Sequence, residues 1–187
     1  MKVKISTVPN IISAIRVFSI PAFYLTFKNR LVFISSLILI FTILTDILDG
    51  YLARKYSAVS KLGTFLDHGV DKLISITLSF LLYYFYHIPN WAFYFFVIRD
   101  FLIIIVGSTL FLGFGLAFSS LWLGKIAGAF YYGMVFGYLL NFSTFARFCL
   151  IISIILFGIV IIVYPLKYFP VLKKTFLKEK GVVSHEL

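Results

Sequence analysis

Carboxylates are scarce in this chain. Only seven of its 187 residues are Asp or Glu, against seventeen Lys and Arg. Charged residues of both signs make up 13% of the chain, about half the share usual in soluble domains, which excludes an ordinary water-soluble enzyme. Cysteine occurs once, as Cys149 inside an apolar run, so no intrachain disulfide can form. With no cysteine pair, and with His68, His87 and His185 far apart in sequence, a zinc site is not expected. No solenoid-type repeat and no low-complexity linker divides the chain, so residues 1–187 are expected to form a single membrane domain.

Apolar residues fill the space that charge leaves. They make up 61% of the chain, aromatics alone 20%, and the mean hydropathy is +1.04. A helix crosses a bilayer with ~20 apolar residues, range about 17 to 25. Six windows have that character: Ile11–Phe27, Leu31–Ile47, Val70–Tyr86, Trp91–Phe114, Trp122–Phe142 and Phe145–Tyr164. The expected fold is an all-α integral membrane domain of six transmembrane helices. A short interfacial helix over Lys2–Asn10 is expected before the first span, and a basic tail over residues 173–187 after the last. Arg16 and Pro21 interrupt the first window, and Pro21 is expected to kink it. Lys2 and Lys4 ahead of an apolar run also fit a signal peptide. An Arg within the run and the lack of an A-x-A cleavage site favour a retained helix.

Six spans put both termini on one side. That side carries Lys2, Lys4, the Arg54–Lys61 stretch and the lysines from Lys173 to Lys180, whereas the other shows Lys28, Arg30 and Arg147. The excess of Lys and Arg places both termini in the cytoplasm. The net charge of +10 is read as topology and attraction to anionic lipid, not as nucleic-acid binding. Tyr and Trp recur near the span ends, as an interfacial belt would.

Four of the seven acids lie between Thr45 and Lys72: Asp46, Asp49, Asp67 and Asp71. Asp46 and Asp49 are three apart, and Asp67 and Asp71 four apart, so each pair shares a helix face. The first pair ends span two and the second begins span three, which can bring both pairs together at the cytoplasmic surface. Carboxylates gathered in partly dry surroundings repel one another, and one or two divalent cations remove that cost. All-oxygen donors suit Mg²⁺, Mn²⁺ or Ca²⁺. Gly50, Ala53 and Gly63 let a ligand approach the backbone closely, and Arg54 offers a bidentate cation for phosphate. Metal, phosphate-binding Arg and room for a flat group suggest a nucleoside diphosphate. The other reading is that these acids simply pair with Arg54, Lys55, Lys61 and Lys72 at the membrane edge.

The pattern Asp46-x-x-Asp49-Gly50-x-x-Ala53-Arg54, eight residues, Gly63, three residues, Asp67, three residues, Asp71 resembles the signature of the CDP-alcohol phosphotransferase family. All eight signature positions match over 26 residues. The resemblance implies transfer of the phospho-alcohol part of a CDP-linked alcohol to another hydroxyl, with release of CMP. It assigns Asp46, Asp49 and Asp67 to two metal ions, Mg²⁺ or Mn²⁺. Asp71 would be the general base and would also touch metal. Gly50, Ala53 and Gly63 would make room for cytidine, and Arg54 would hold the diphosphate. It also implies a homodimer. The segments "VPNIISAIRVFSIPAF", with Asn10 and Arg16, and "LWLGKIAG", with Lys125, resemble bacterial phosphatidylglycerophosphate synthases and related cardiolipin synthases. "VIRDF" stands where those enzymes show Ala-Arg-Glu, so Arg99 matches and Asp100 replaces Glu. The implied substrates are CDP-diacylglycerol and glycerol 3-phosphate.

His68 departs from that branch, which shows Pro there; "FLDHGVD" is similar instead to the segment of choline and ethanolamine phosphotransferases. Phosphatidylglycerol, serine, inositol or its phosphate, and diacylglycerol therefore stay open as acceptors. Arg99 and Lys125, which lie outside the signature, and His68, beside a metal position, are the candidate acceptor-binding residues. Adjacent helical positions point about 100° apart, so Arg99 and Asp100 need not pair with each other. Gly124/Gly128 and Gly133/Gly137 make two GxxxG steps, for internal packing or a dimer face. A cation transporter is the non-enzyme alternative. Against it, transport sites sit near the bilayer midplane, and these acids cluster at span ends.

Overall fold

The computed structural model describes residues 16–55, 61–114 and 122–179. Six helices, and no strand, occur among these: α1 (Ser19–Lys28), α2 (Val32–Lys55), α3 (Lys61–Tyr86), α4 (Asn90–Phe114), α5 (Trp122–Leu139) and α6 (Ser143–Glu179). The helices α2 to α6 each cover most of one apolar window, while α1 covers Ser19–Phe27 of the first, whose residues 11–15 lie outside the described residues. The tail begins helical, because α6 runs on through Lys173 and Lys174. The interfacial helix expected over Lys2–Asn10 lies outside the described residues. Pro21 falls in the first turn of α1, where the missing N–H leaves no internal bond unmade, and the chain turns just before it at Phe18.

The helices form three hairpins, α1 with α2, α3 with α4 and α5 with α6, the last pair packing most extensively. Arg30 and Asn141, both left-handed, close two of the turns. Each begins a paired capping bond: Arg30 N–H to Phe27 O and Leu31 N–H to Thr26 O, then Asn141 N–H to Tyr138 O and Phe142 N–H to Gly137 O. His87, also left-handed, turns the chain between α3 and α4. These short turns fix one end of the bundle. The end of α2 and the start of α3, which carry the aspartates, therefore lie toward the other end.

The core is built from Phe23 and Phe27 of α1, Leu78, Leu81 and Leu82 of α3, Phe96 of α4, Tyr131 and Met134 of α5, and Phe157 of α6. Gly137 brings α5 against α6: a Cβ there would lie 2.9 Å from both Cα and Cβ of Ala146. Gly133 faces Cys149 in the same seam, whereas Gly124 and Gly128 meet nothing within 4 Å among the described residues. The two GxxxG steps thus divide, one internal and one open.

The outer face is apolar. Phe33, Phe41, Ile47, Ile98, Phe101, Ile105, Ile155 and Ile162 all point outward. A soluble monomer does not expose so much contiguous apolar surface. Two helical stretches, Asn90–Thr109 and Ser143–Val163, are long and apolar enough to cross a membrane, and Val32–Leu48 is a shorter apolar stretch.

Candidate active site

The structure brings Asp46 and Asp71 together across α2 and α3, on a cation that composition alone did not single out. Arg16 precedes α1 by three residues and is only 1% exposed. Its Nη1 donates to Asp46 Oδ1 at 2.9 Å and to Asp71 Oδ1 at 2.5 Å. Asp46 remains half exposed and Asp71 is 28% exposed. A guanidinium this deep needs anionic partners, and these two helices supply them. Ser19 Oγ donates to the Arg16 carbonyl at 2.6 Å and ties the segment to the start of α1.

Two anionic oxygens from separate helices thus converge on one positive point. The donor set there is all oxygen and formally doubly charged, which fits a hard divalent cation such as Mg²⁺ or Mn²⁺. Asp49, one turn beyond Asp46, and Asp67, one turn before Asp71, ride on the same two helices. Their side chains lie outside the described residues, as do the surroundings of Gly50, Ala53, Arg54, Gly63 and His68.

A second ionic cluster lies deeper, between α3, α4 and α5. Arg99 is 3% exposed and Asp100 0%. Neighbours on a helix need not pair, and these two do: Arg99 Nε donates to Asp100 Oδ1 at 3.1 Å, and Nη2 reaches the same oxygen. The Arg side chain is long enough to fold back over the angle between neighbours. Arg99 Nη2 also donates to Ser75 Oγ at 3.2 Å, and its guanidinium lies 3.8 Å from the centre of the Phe157 ring. Lys72 Nζ stands 3.5 Å from Asp100 Oδ1. The Tyr131 hydroxyl donates to the Ser75 carbonyl at 2.8 Å and shares a hydrogen bond with Ser79 Oγ at 2.9 Å. Arg99 Nη1 and Asp100 Oδ2 have no hydrogen-bond partner among the described residues.

Lys125, in the first turn of α5, is exposed and lies 5.5 Å over the Trp122 ring. The predicted site residues therefore divide. Asp46 and Asp71 meet at Arg16, Arg99 joins Lys72 and Asp100 in the interior, and Lys125 stands on an outer face. Reasoning from sequence missed Arg16 as the partner of both aspartates, and missed the Lys72–Asp100 pair. The available signal was that Arg16 and Asp100 are charges inside apolar runs, which persist there only when paired.

A family model described as CDP-alcohol phosphatidyltransferase matches residues 6–164. The chain belongs to that family. Among its relatives, the CDP-diacylglycerol–glycerol-3-phosphate 3-phosphatidyltransferase of Pectobacterium atrosepticum is 34% identical over 83 residues, 43% of this chain and 46% of that protein. The protein of the same name from Pseudomonas fluorescens is 41% identical over 70 residues, 36% of each chain. A protein of Mycobacterium tuberculosis, named as a proposed cardiolipin synthase, is 32% identical over 145 residues, 75% of this chain and 65% of that protein. The chain spans less than half the length of the glycerol-3-phosphate relatives it matches. The matched range contains Asp46, Asp49, Asp67 and Asp71.

Proposed function

We propose that this protein transfers the phosphatidyl group of CDP-diacylglycerol to the primary hydroxyl of glycerol 3-phosphate and releases CMP. The observation that carries the reading is the complete aspartate signature, whose first and last members converge on one cationic point between two helices. Family membership supports the reaction class, and the names of the glycerol-3-phosphate relatives support the acceptor.

On this reading Asp46, Asp49 and Asp67 hold two divalent ions, Mg²⁺ or Mn²⁺, and Asp71 borders them. Bound there, the ions supply charge neutralisation for the pyrophosphate and for departing CMP. Arg54 orients the diphosphate, and Gly50, Ala53 and Gly63 leave room for cytidine. Asp71 takes the proton of the acceptor hydroxyl as its oxygen bonds to the phosphatidyl phosphorus. The bond from that phosphorus to CMP breaks, and CMP leaves with the electron pair. Arg99 or Lys125 attracts the acceptor phosphate, and His68 borders the acceptor.

On this reading six spans cross the membrane, the first being the window Ile11–Phe27 of which α1 is the described part, with both termini and the aspartates on the cytoplasmic side, where the lysines concentrate. The acyl chains of the donor then stay in the bilayer during turnover. The open Gly124/Gly128 step suits close approach of a second copy in a homodimer.

A second reading has phosphatidylglycerol as acceptor. It is favoured by the longer match to the mycobacterial protein, 145 residues against 83 for the Pectobacterium one. An acceptor panel decides between them. Purified protein receives CDP-diacylglycerol with glycerol 3-phosphate, phosphatidylglycerol, serine, inositol or inositol phosphate, and separately CDP-choline with diacylglycerol. Metal-dependent CMP release with glycerol 3-phosphate is expected. Release only with phosphatidylglycerol would transfer the assignment to the second reading, and no release with any acceptor would return the protein to the transporter alternative.

A further inference from the structure

Lys72 is an awkward residue for a metal site. It follows Asp71 directly, and an ammonium on a flexible four-carbon stem can reach the carboxylate beside it. A lysine in that place would compete with a divalent cation for the same oxygens. In the structure it is drawn elsewhere, with Nζ 3.5 Å from Asp100 Oδ1.

We propose that Asp100 is a positioning residue that holds Lys72 inward and so keeps a further cation from Asp71, whose Oδ1 already accepts from Arg16, when a divalent cation binds at the Asp46–Asp71 pair. The inference rests on the metal reading given above.

Three features make Asp100 suited to the task. It is fully buried, so its attraction for a cation is little screened by water. Its position is fixed by Arg99, which is held in turn by Ser75 of α3 and by the Phe157 ring. Its Oδ2 has no hydrogen-bond partner among the described residues, which leaves acceptor capacity for the ammonium. Lys72, Ser75 and Ser79 lie along the face of α3 that turns to α4 and α5, while Asp71 is turned to Arg16. The angle of about 100° between adjacent helical positions thus sends one charge to each cluster. If Asp100 loses its charge, Lys72 and Arg99 remain as two cations without their shared anion. Asp71 is then the carboxylate left to Lys72.

The test measures Mn²⁺ binding to the detergent-solubilised full chain, without substrate, by the magnetic-resonance signal of free Mn²⁺. Asp100→Asn keeps the shape and removes the charge. It is expected to weaken Mn²⁺ affinity on the order of tenfold, within the usual range for coupled sites. The double variant Asp100→Asn, Lys72→Met is expected to regain wild-type affinity, which a merely structural role for Asp100 would not produce. An Asp100→Asn protein that binds Mn²⁺ like wild type overturns the proposal, as does a double variant that stays as weak as the single one. If Asp100→Asn does not fold, the smaller Asp100→Ser takes its place, alone and together with Lys72→Met, and the same two outcomes decide. A wild-type protein that binds no Mn²⁺ overturns the metal reading itself, an outcome distinct from the others.

Discussion

Replacing Arg16 by Gln should unmask the repulsion that Arg16 suppresses. Its Nη1 lies 2.9 Å from Asp46 Oδ1 and 2.5 Å from Asp71 Oδ1, so those oxygens are at most about 5.4 Å apart, the sum of the two distances. At an effective dielectric constant of about 20, two unit charges at that separation repel by about 3 kcal/mol. Asp46 is half exposed, and water takes up part of this, so we expect metal-free Arg16→Gln to lose about 2 kcal/mol. In a chain of this length that lowers the melting temperature by roughly 4–8 °C. A divalent cation can replace the missing guanidinium between the same oxygens. Saturating Mg²⁺ should therefore close most of the gap between variant and wild type, by more than it raises wild type itself. The assay is thermal unfolding of detergent-solubilised protein in EDTA and in Mg²⁺. An equal deficit in both conditions would make Arg16 a packing residue only. No deficit in EDTA would refute the electrostatic account altogether.

Asp71→Asn should lower CMP release by roughly 10²–10⁴-fold while CDP-diacylglycerol still binds, the loss expected for a general base; wild-type turnover would remove Asp71 from that role. Lys125→Ala should raise the apparent KM for glycerol 3-phosphate more than that for CDP-diacylglycerol, and an unchanged acceptor KM would exclude it as the phosphate contact. Gly137→Ala should destabilise the fold, because overpacking against the Ala146 backbone costs about 1–3 kcal/mol and outweighs a helix-propensity gain of about 1 kcal/mol. Gly158→Ala, with nothing within 4 Å among the described residues, should keep the gain, and thermal unfolding of the two variants would show opposite shifts.

The six helices were legible in the sequence because a bilayer-length apolar run has few ways to satisfy its backbone except as a helix. The reaction class was legible for a different reason. Four carboxylates in an acid-poor chain, with small residues and Arg54 at fixed gaps, form a pattern set by covalent spacing. Spacing along a helix also determines that Asp46 and Asp49 share a face, whatever packs against it.

Contacts between distant segments were not legible. Arg16 looked like an interruption of the first span, and only the packing of α1 against α2 and α3 made it the shared partner of residues 30 and 55 positions away. The two GxxxG steps look alike in sequence, yet helix rotation put Gly133/Gly137 into the seam with α6 and left Gly124/Gly128 without a neighbour within 4 Å among the described residues. Asp71 and Lys72 are neighbours in the chain and belong to different clusters in the fold. Local spacing follows from covalent geometry and is carried by the sequence. Which opposite charge a buried ion meets depends on how helices rotate and pack, and that only the tertiary structure decided.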